Sequence, residues 1–382
     1  MTTAMAFQDV KLTLRQKLWN LNWGLVLLIC VTVAVGVGVL LSSTNGEWDG
    51  LVARQSTRFG AALIVMFVVA LANMRFWLRH AYVIYAITLA MLVVVEFTGS
   101  IGMGAQRWVD IGVVRLQPSE LMKVALVLAL ARYFHGCSLD EVGRLRWLVL
   151  PLVMILAPAA LVLRQPDLGT ASLLVFGGGA MFMLAGVRAW KFAVLIIAGL
   201  GAVPFAWRLL HDYQQERILT FIDPGRDPLG AGYHILQSKI ALGSGGLFGR
   251  GYMQGTQTHL NFLPENQTDF AFTMLAEEFG LVGGLVLIAL YTLILAYCIV
   301  VALRARSQFA RLLALGIANT FFLYVFINIA MVTGLIPVVG VPLPLISYGG
   351  TAMMTLLTGF GLVMCVSIHR DLQIPRQHAL AN

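Results

Sequence analysis

The chain has 382 residues, of which 59% are hydrophobic and only 12% charged, and it carries a formal net charge of +8; its mean hydropathy is +0.83. A water-soluble protein of this size has too little polar surface to cover so much apolar material, so soluble classes are excluded. A membrane barrel is excluded too, because its alternating segments of about ten residues are missing, and the basic excess clusters at the ends of apolar runs, where membrane topology rather than nucleic acid accounts for it.

Apolar runs of about 20 residues match a hydrocarbon layer of roughly 30 Å at helical rise. They are predicted at about residues 21–42, 59–75, 81–98, 118–134, 147–163, 169–187, 190–210, 270–302, 310–332 and 345–368, which makes the chain an all-α polytopic membrane protein with about ten transmembrane helices. Residues 1–382 read as a single integral membrane domain, since repeats, low-complexity tracts and interdomain linkers are absent. Lys11, Arg15 and Lys17 precede a first run too long for a signal peptide and without a small-residue cleavage site, so it reads as a retained span. With the amino terminus inside, the inner side holds those three and Arg75, Arg79, Arg132, Arg144, Arg146, Arg188, Lys191, Arg304, Arg306, Arg311, Arg370 and Arg376. The outer short loops hold only Arg54, Arg58, Arg107, Arg115 and Arg164, so both termini are expected inside. Cys30, Cys137, Cys298 and Cys365 are scattered and signal neither a disulfide framework nor a zinc site. The seventh connection, about residues 211–269, is long, lies outside and mixes charge, aromatics and glycine, as in Asp212-Tyr213 and Asp223-Pro224-Gly225-Arg226-Asp227-Pro228. Its stretch Tyr233 to Leu242, carrying Lys239, is predicted to form a short helix at the membrane surface.

Ionisable residues at membrane depth are expensive and each needs a reason. Glu120 and Lys123 are three apart on the fourth span, where they form either a structural ion pair or part of a polar site. Pro118 suits the first turn of that helix, and Arg107, Arg115 and Gln117 just before it would place cations and a helix N-terminus at one boundary, suited to an anionic phosphate. Read singly, the two arginines are interfacial anchors. Asp269 stands at the outer entrance of the eighth span, where it would either complement the helix dipole or act as a base. Glu277 and Glu278 lie about two turns deeper and require polar partners. The segment Gly334 to Gly350 carries three prolines and four glycines, so it is expected as a tightly folded outer hairpin shielded by protein. Gly243 to Gly251 lacks the phosphate-loop ending and reads as a flexible loop with Arg250 as a phosphate contact. The polar starts Gln117 to Glu120, Asp167 to Thr170, Thr268-Asp269 and Ser347 to Gly350 all fall on one face of the membrane, which predicts a composite site for a substrate with a phosphate head and a lipid tail.

Gln117-Pro118-Ser119-Glu120, Asn261 to Phe270, Glu277-Glu278-Phe279-Gly280-Leu281 and Pro342 to Gly350 resemble the signature blocks of the bacterial SEDS family, for shape, elongation, division and sporulation. The resemblance covers nearly the whole chain and, by the short amino-terminal tail and the wording of residues 261–270, looks more like the elongation branch than the division branch. It implies a peptidoglycan glycosyltransferase that polymerises lipid II in the bacterial inner membrane, with inversion and release of undecaprenyl pyrophosphate. It also implies a class B penicillin-binding protein as transpeptidase partner and the elongation machinery around it. By motif, Asp269 matches the family's essential aspartate, Glu120 and Lys123 its polar pair, and Arg107 its arginine. Arg115, Gln117, Lys239 and Ser347 complete the expected substrate contacts, and a divalent Mg or Mn ion at Asp269 would be the only cofactor. Ala352-Met353-Met354 departs from the Ser-rich wording of relatives. A lipid II flippase and a noncatalytic scaffold are the competing classes.

Overall fold

A computed structural model describes residues 13–48, 50–102, 105–110, 115–209, 215–216, 219–221, 223, 231–256 and 267–375. Lys11, Asp212-Tyr213, Pro224 to Pro228, Asn261 to Asn266 and Arg376 lie outside the described residues. The elements are α1 (Leu14–Trp19), α2 (Trp23–Ser43), α3 (Gly50–Leu71), α4 (Met74–Thr98), β1 (Ser100–Gly102), β2 (Ala105–Asp110), β3 (Arg115–Leu116), α5 (Pro118–Gly136), α6 (Leu139–Val142), α7 (Leu145–Arg164), α8 (Leu168–Leu184), α9 (Ala189–Leu209), α10 (Ala231–Ser244), α11 (Ala271–Arg304), α12 (Gln308–Val332) and α13 (Gly350–Ile368).

Each predicted span coincides with one of these helices, and seven of them, α2, α3, α4, α7, α11, α12 and α13, are long and apolar enough to cross a membrane. The α8 helix is apolar but shorter, and α5 carries Glu120, Lys123 and Arg132 within its nineteen residues. Two boundaries differ from expectation. α3 begins at Gly50 rather than near residue 59, and α4 at Met74 rather than near 81. Polar residues at these starts hid the helices from a hydropathy reading, although Arg54 Nε donates to Gly50 O at 2.6 Å within the first turn of α3. The architecture is helical as expected, with one addition in a connection between spans. Residues 100–116 contain a small antiparallel sheet of order β1-β2-β3, in which Ile101 pairs with Gln106 and Asp110 with Arg115. A connection this short cannot form a helix hairpin, and strand pairing satisfies its backbone instead.

The bundle has a centre and a periphery. In α12 and α13, 67% and 72% of the apolar window is buried, against 28% in α3 and α4, whose remaining surface is left for lipid. Close approaches are made where glycine leaves room: a Cβ at Gly316 would stand 2.5 Å from Val127 Cγ1 and 2.6 Å from Met181 Sδ, so α5, α8 and α12 meet there. The two prolines inside α7 show how such a bundle tolerates broken hydrogen bonds. Pro151 and Pro158 offer no N–H to Trp147 O and Met154 O, four residues earlier. Those carbonyls instead accept from Tyr133 Oη at 2.6 Å and Tyr85 Oη at 2.9 Å, contributed by α5 and α4.

Candidate functional site

The expected outer hairpin is folded into the bundle. Leu343, Leu345, Ile346 and Ser347 are all buried, and a Cβ at Gly36 of α2 would lie 2.7 Å from Ile346 Cα. Leu345 holds a left-handed φ of 64°, a conformation that costs a branched residue about 1–2 kcal/mol and persists only under surrounding constraint. The constraint is visible: Tyr291 Oη donates to Pro344 O at 2.6 Å and Gln55 Nε2 to Ser347 O at 3.1 Å.

This segment grips the entrance of α11. Ser347 Oγ donates to Thr268 O and accepts from Leu343 N, the latter at 2.8 Å. Tyr348 N donates to Gln267 O at 2.8 Å. From the other side Asn328 of α12, fully buried, donates through Nδ2 to Asp269 O at 2.8 Å and to Val341 O at 2.7 Å. Asp269 is half-buried, and its Oδ2 lies 3.5 Å from the position a Cβ would take at Gly340, whose φ is +70°. The start of α8 reaches the same place. A Cβ at Gly169 would collide with Val339 O and approach Val341 Cγ2 to 2.9 Å. Asp167 caps α8 by accepting from Thr170 N and Thr170 Oγ1, each at 3.0 Å. The starts of the sixth, eighth and tenth predicted spans therefore do converge on Asp269.

The fourth contributes differently. Lys123 Nζ sits 2.6 Å from Glu120 Oε1 and 4.4 Å from the ring centroid of Tyr324, while Tyr324 Oη donates to Glu120 Oε2 at 2.6 Å. All three are buried. A cavity of about 10 Å³ beside Lys123, bounded also by Thr320, Tyr324 and Thr355, is at the lower limit for one water. Tyr324 and Asn328 lie four apart on one face of α12, so the ion pair sits about 6 Å along the helix from the anchor of Asp269.

Arg107 is held by the turn between α7 and α8. Its Nε donates to Gln165 O at 3.1 Å and Nη2 to Pro166 O at 2.7 Å, with Nη1 3.8 Å from Asp167 Oδ2. Arg115 is exposed on β3, and Gln117 is the half-buried N-cap residue of α5, where its side chain makes no capping bond. Lys239 is exposed on α10 and its stem lies against Gly334. Ser238, beside it, bonds Thr273 Oγ1 and Val332 O, both at 2.8 Å, and so ties α10 to α11 and α12.

The glycine-rich loop is docked on the break in α11 rather than flexible. Gly280 breaks α11 at φ +65°, and residues 246–251 take up the main-chain groups freed there. Arg250 N and Gly251 N donate to Glu277 O and Glu278 O, and Leu281 N and Val282 N donate to Gly246 O and Leu247 O, all at 3.0–3.1 Å. Arg250 uses its own guanidinium on Ser244 O and Thr256 Oγ1. Glu277 accepts from Thr256 Oγ1 at 3.3 Å and Glu278 from Ser42 Oγ, which supplies the polar partners that buried carboxylates require. A methyl group at Gly280 would meet the Leu247 and Gly249 backbone. Gly280→Ala is therefore expected to cost about 1–3 kcal/mol, read as a lower melting temperature of the detergent-purified protein.

Sequence reading missed Asn328, Tyr324 and Gln55, although a lone Asn or Gln inside an apolar span is itself a signal of a required partner. Asn328→Ala would remove the side-chain donor shared by the Asp269 and Val341 carbonyls and is expected to cost about 1–3 kcal/mol. It should also reduce any activity that depends on Asp269, measured as turnover below the melting temperature.

A helical bundle with a broken membrane helix, a folded hairpin and a half-buried carboxylate where helix starts converge defines an integral membrane protein with a polar site at one end. Over residues 15–372 the sequence matches the cell cycle protein family of FtsW, RodA and SpoVE, and the chain belongs to that family. It is 44% identical over 352 residues to the peptidoglycan glycosyltransferase MrdB of Escherichia coli K12, an alignment covering 91% of this chain and 94% of the relative. A chain from a solved peptidoglycan synthase complex that coordinates polymerization and crosslinking superposes with a TM-score of 0.81 at 34% identity, covering 92% of this chain and 98% of that one. The rod shape determining protein RodA of Thermus thermophilus gives 0.70 at 30% identity, with 92% and 98% covered.

Proposed function

We propose that this protein is a peptidoglycan glycosyltransferase that polymerises lipid II into glycan strands during cell elongation. The observation that carries the reading is the convergence of three helix starts and the folded hairpin on one half-exposed carboxylate, Asp269, with Arg107 clamped to the neighbouring turn. The site belongs on the outer face of the bacterial inner membrane, with both termini inside and residues 211–269 forming the outer loop of a single membrane domain of ten spans. The clustering of inner-side basic residues supports that orientation.

In the reaction, the C4 hydroxyl oxygen of an acceptor N-acetylglucosamine attacks C1 of the donor sugar with inversion. The hydroxyl proton passes to the Asp269 carboxylate as the C1–O bond breaks, and its electron pair leaves with undecaprenyl pyrophosphate. The departing diphosphate needs positive charge, which Arg107, Arg115 and Lys239 supply from the rim. Gln117 lies on the same approach, and Ser347 fixes Thr268 rather than reaching outward. A phosphate contact by Lys123 requires its pairing with Glu120 to open. Among the described residues no three metal-ligating side chains gather, so a Mg or Mn ion at Asp269 would draw its other ligands from diphosphate oxygens and water.

The synthase complex among the structural relatives supports a membrane-anchored transpeptidase, a class B penicillin-binding protein, as partner within the elongation machinery. Incubating the purified protein with labelled lipid II in detergent tests the reading. Glycan polymer is the expected product. Its absence, with lipid II still bound, would turn the assignment toward a flippase or a scaffold.

A further inference from the structure

The proposed reaction draws on Arg107, Arg115 and Lys239 and leaves another cation, beside the hairpin, without a task. Arg58 of α3 is exposed, and its guanidinium carbon lies 5.1 Å over the ring centroid of Tyr348. Tyr348 is joined through its main-chain N to Gln267 O, two residues from Asp269. One turn earlier on α3, Gln55 holds Ser347 O, so the face that carries Arg58 is fixed against the hairpin by two side chains. Gly350 makes the approach possible: a Cβ there would stand 2.8 Å from Arg58 Cδ and 2.9 Å from Nε.

The electrostatics of this arrangement are unbalanced. Among the described residues no carboxylate pairs with Arg58. The guanidinium nevertheless abuts the first residue of α13, whose first turn contains no acid, so a cation meets the positive end of a helix. Stacking on Tyr348 orients the planar fork while leaving its donors for a bidentate anion. Arg107, by contrast, spends its donors on the α7–α8 turn.

The polymerase reading, on which this inference rests, requires two diphosphates at once: the leaving group of the donor and the lipid anchor of the acceptor. We propose that Arg58, stacked on Tyr348, binds the diphosphate of one of these two lipid-linked substrates, and that the second is held on the Arg107 side of Asp269. The carboxylate then lies between two diphosphate subsites.

The test uses the full-length protein in detergent and a ligand without sugar, undecaprenyl diphosphate, with undecaprenol as the uncharged control. In the nonreacting Asp269→Asn background, two diphosphates are expected to bind per chain, and Arg58→Ala should leave one. Arg58→Lys should recover part of the loss, and undecaprenol binding should not change. With lipid II and an otherwise unaltered chain, Arg58→Ala should raise the half-saturating concentration about tenfold, with a much smaller fall in the maximal rate. Unchanged stoichiometry and half-saturation, or a parallel loss of undecaprenol binding, would overturn the proposal. If the unaltered protein makes no glycan but still loses one diphosphate on Arg58→Ala, the subsite stands and the polymerase reading fails.

Discussion

Asp269→Asn is expected to abolish glycan synthesis while leaving the protein folded. The asparagine amide keeps the size and hydrogen-bonding reach of the carboxylate but does not accept the hydroxyl proton. The bonds that hold this stretch of chain in place use main-chain atoms: Asp269 O receives Asn328, Thr268 O receives Ser347 and Gln267 O receives Tyr348. None of them is lost in the variant, so the melting temperature should stay close to that of the unaltered protein. Removing a positioned base lowers rates by about 10²–10⁴. The measurement is polymer formed from labelled lipid II by purified protein, alongside thermal unfolding. Near-normal synthesis would remove the base assignment, whereas loss of fold and activity together would make Asp269 a structural residue.

The second large effect is expected at the buried pair. Lys123→Met leaves the Glu120 carboxylate inside the bundle with Tyr324 as its remaining bonded partner. Breaking one side of a buried ion pair costs about 3–5 kcal/mol, and replacing both members by apolar residues of similar volume is often close to neutral. Lys123→Met should therefore lower the melting temperature strongly, and adding Glu120→Leu should restore most of it. Turnover of the double variant separates the two roles considered for Lys123. If activity returns with stability, the pair serves to support α5 against the face of α12 that anchors Asp269. If stability returns without activity, Lys123 or Glu120 acts on substrate. The Lys123 side chain is only 2% exposed, which favours the supporting role.

How much of this was legible beforehand depended on the physics behind each signal. The spans were readable because lipid admits only long apolar helices whose backbone is satisfied internally. Where α3 begins was not, since Arg54, Ser56, Thr57 and Arg58 make its first turns look like a loop, and only the hydrogen bonds within the helix reveal otherwise. The prolines of α7 stand in an apolar run that still reads as a span, and the tyrosines that repair their breaks sit 69 and 14 residues from the carbonyls they bind. The glycine-rich loop was misread for a related reason. Its composition suggests mobility, and only the break at Gly280 shows that close backbone docking requires those glycines.

Sequence by itself determined that this protein lives in a membrane, that its polar helix starts share one side, and that Asp269 is the carboxylate to test, because burial in lipid leaves few tolerated places for charge. The tertiary structure decided which of those groups meet and which are closed away: Ser347 became a clamp, Lys123 an internal partner and Arg58 an open cation beside the hairpin. Pattern along the chain fixes which residues share an end of the bundle, whereas distance between helices depends on packing that no local pattern encodes.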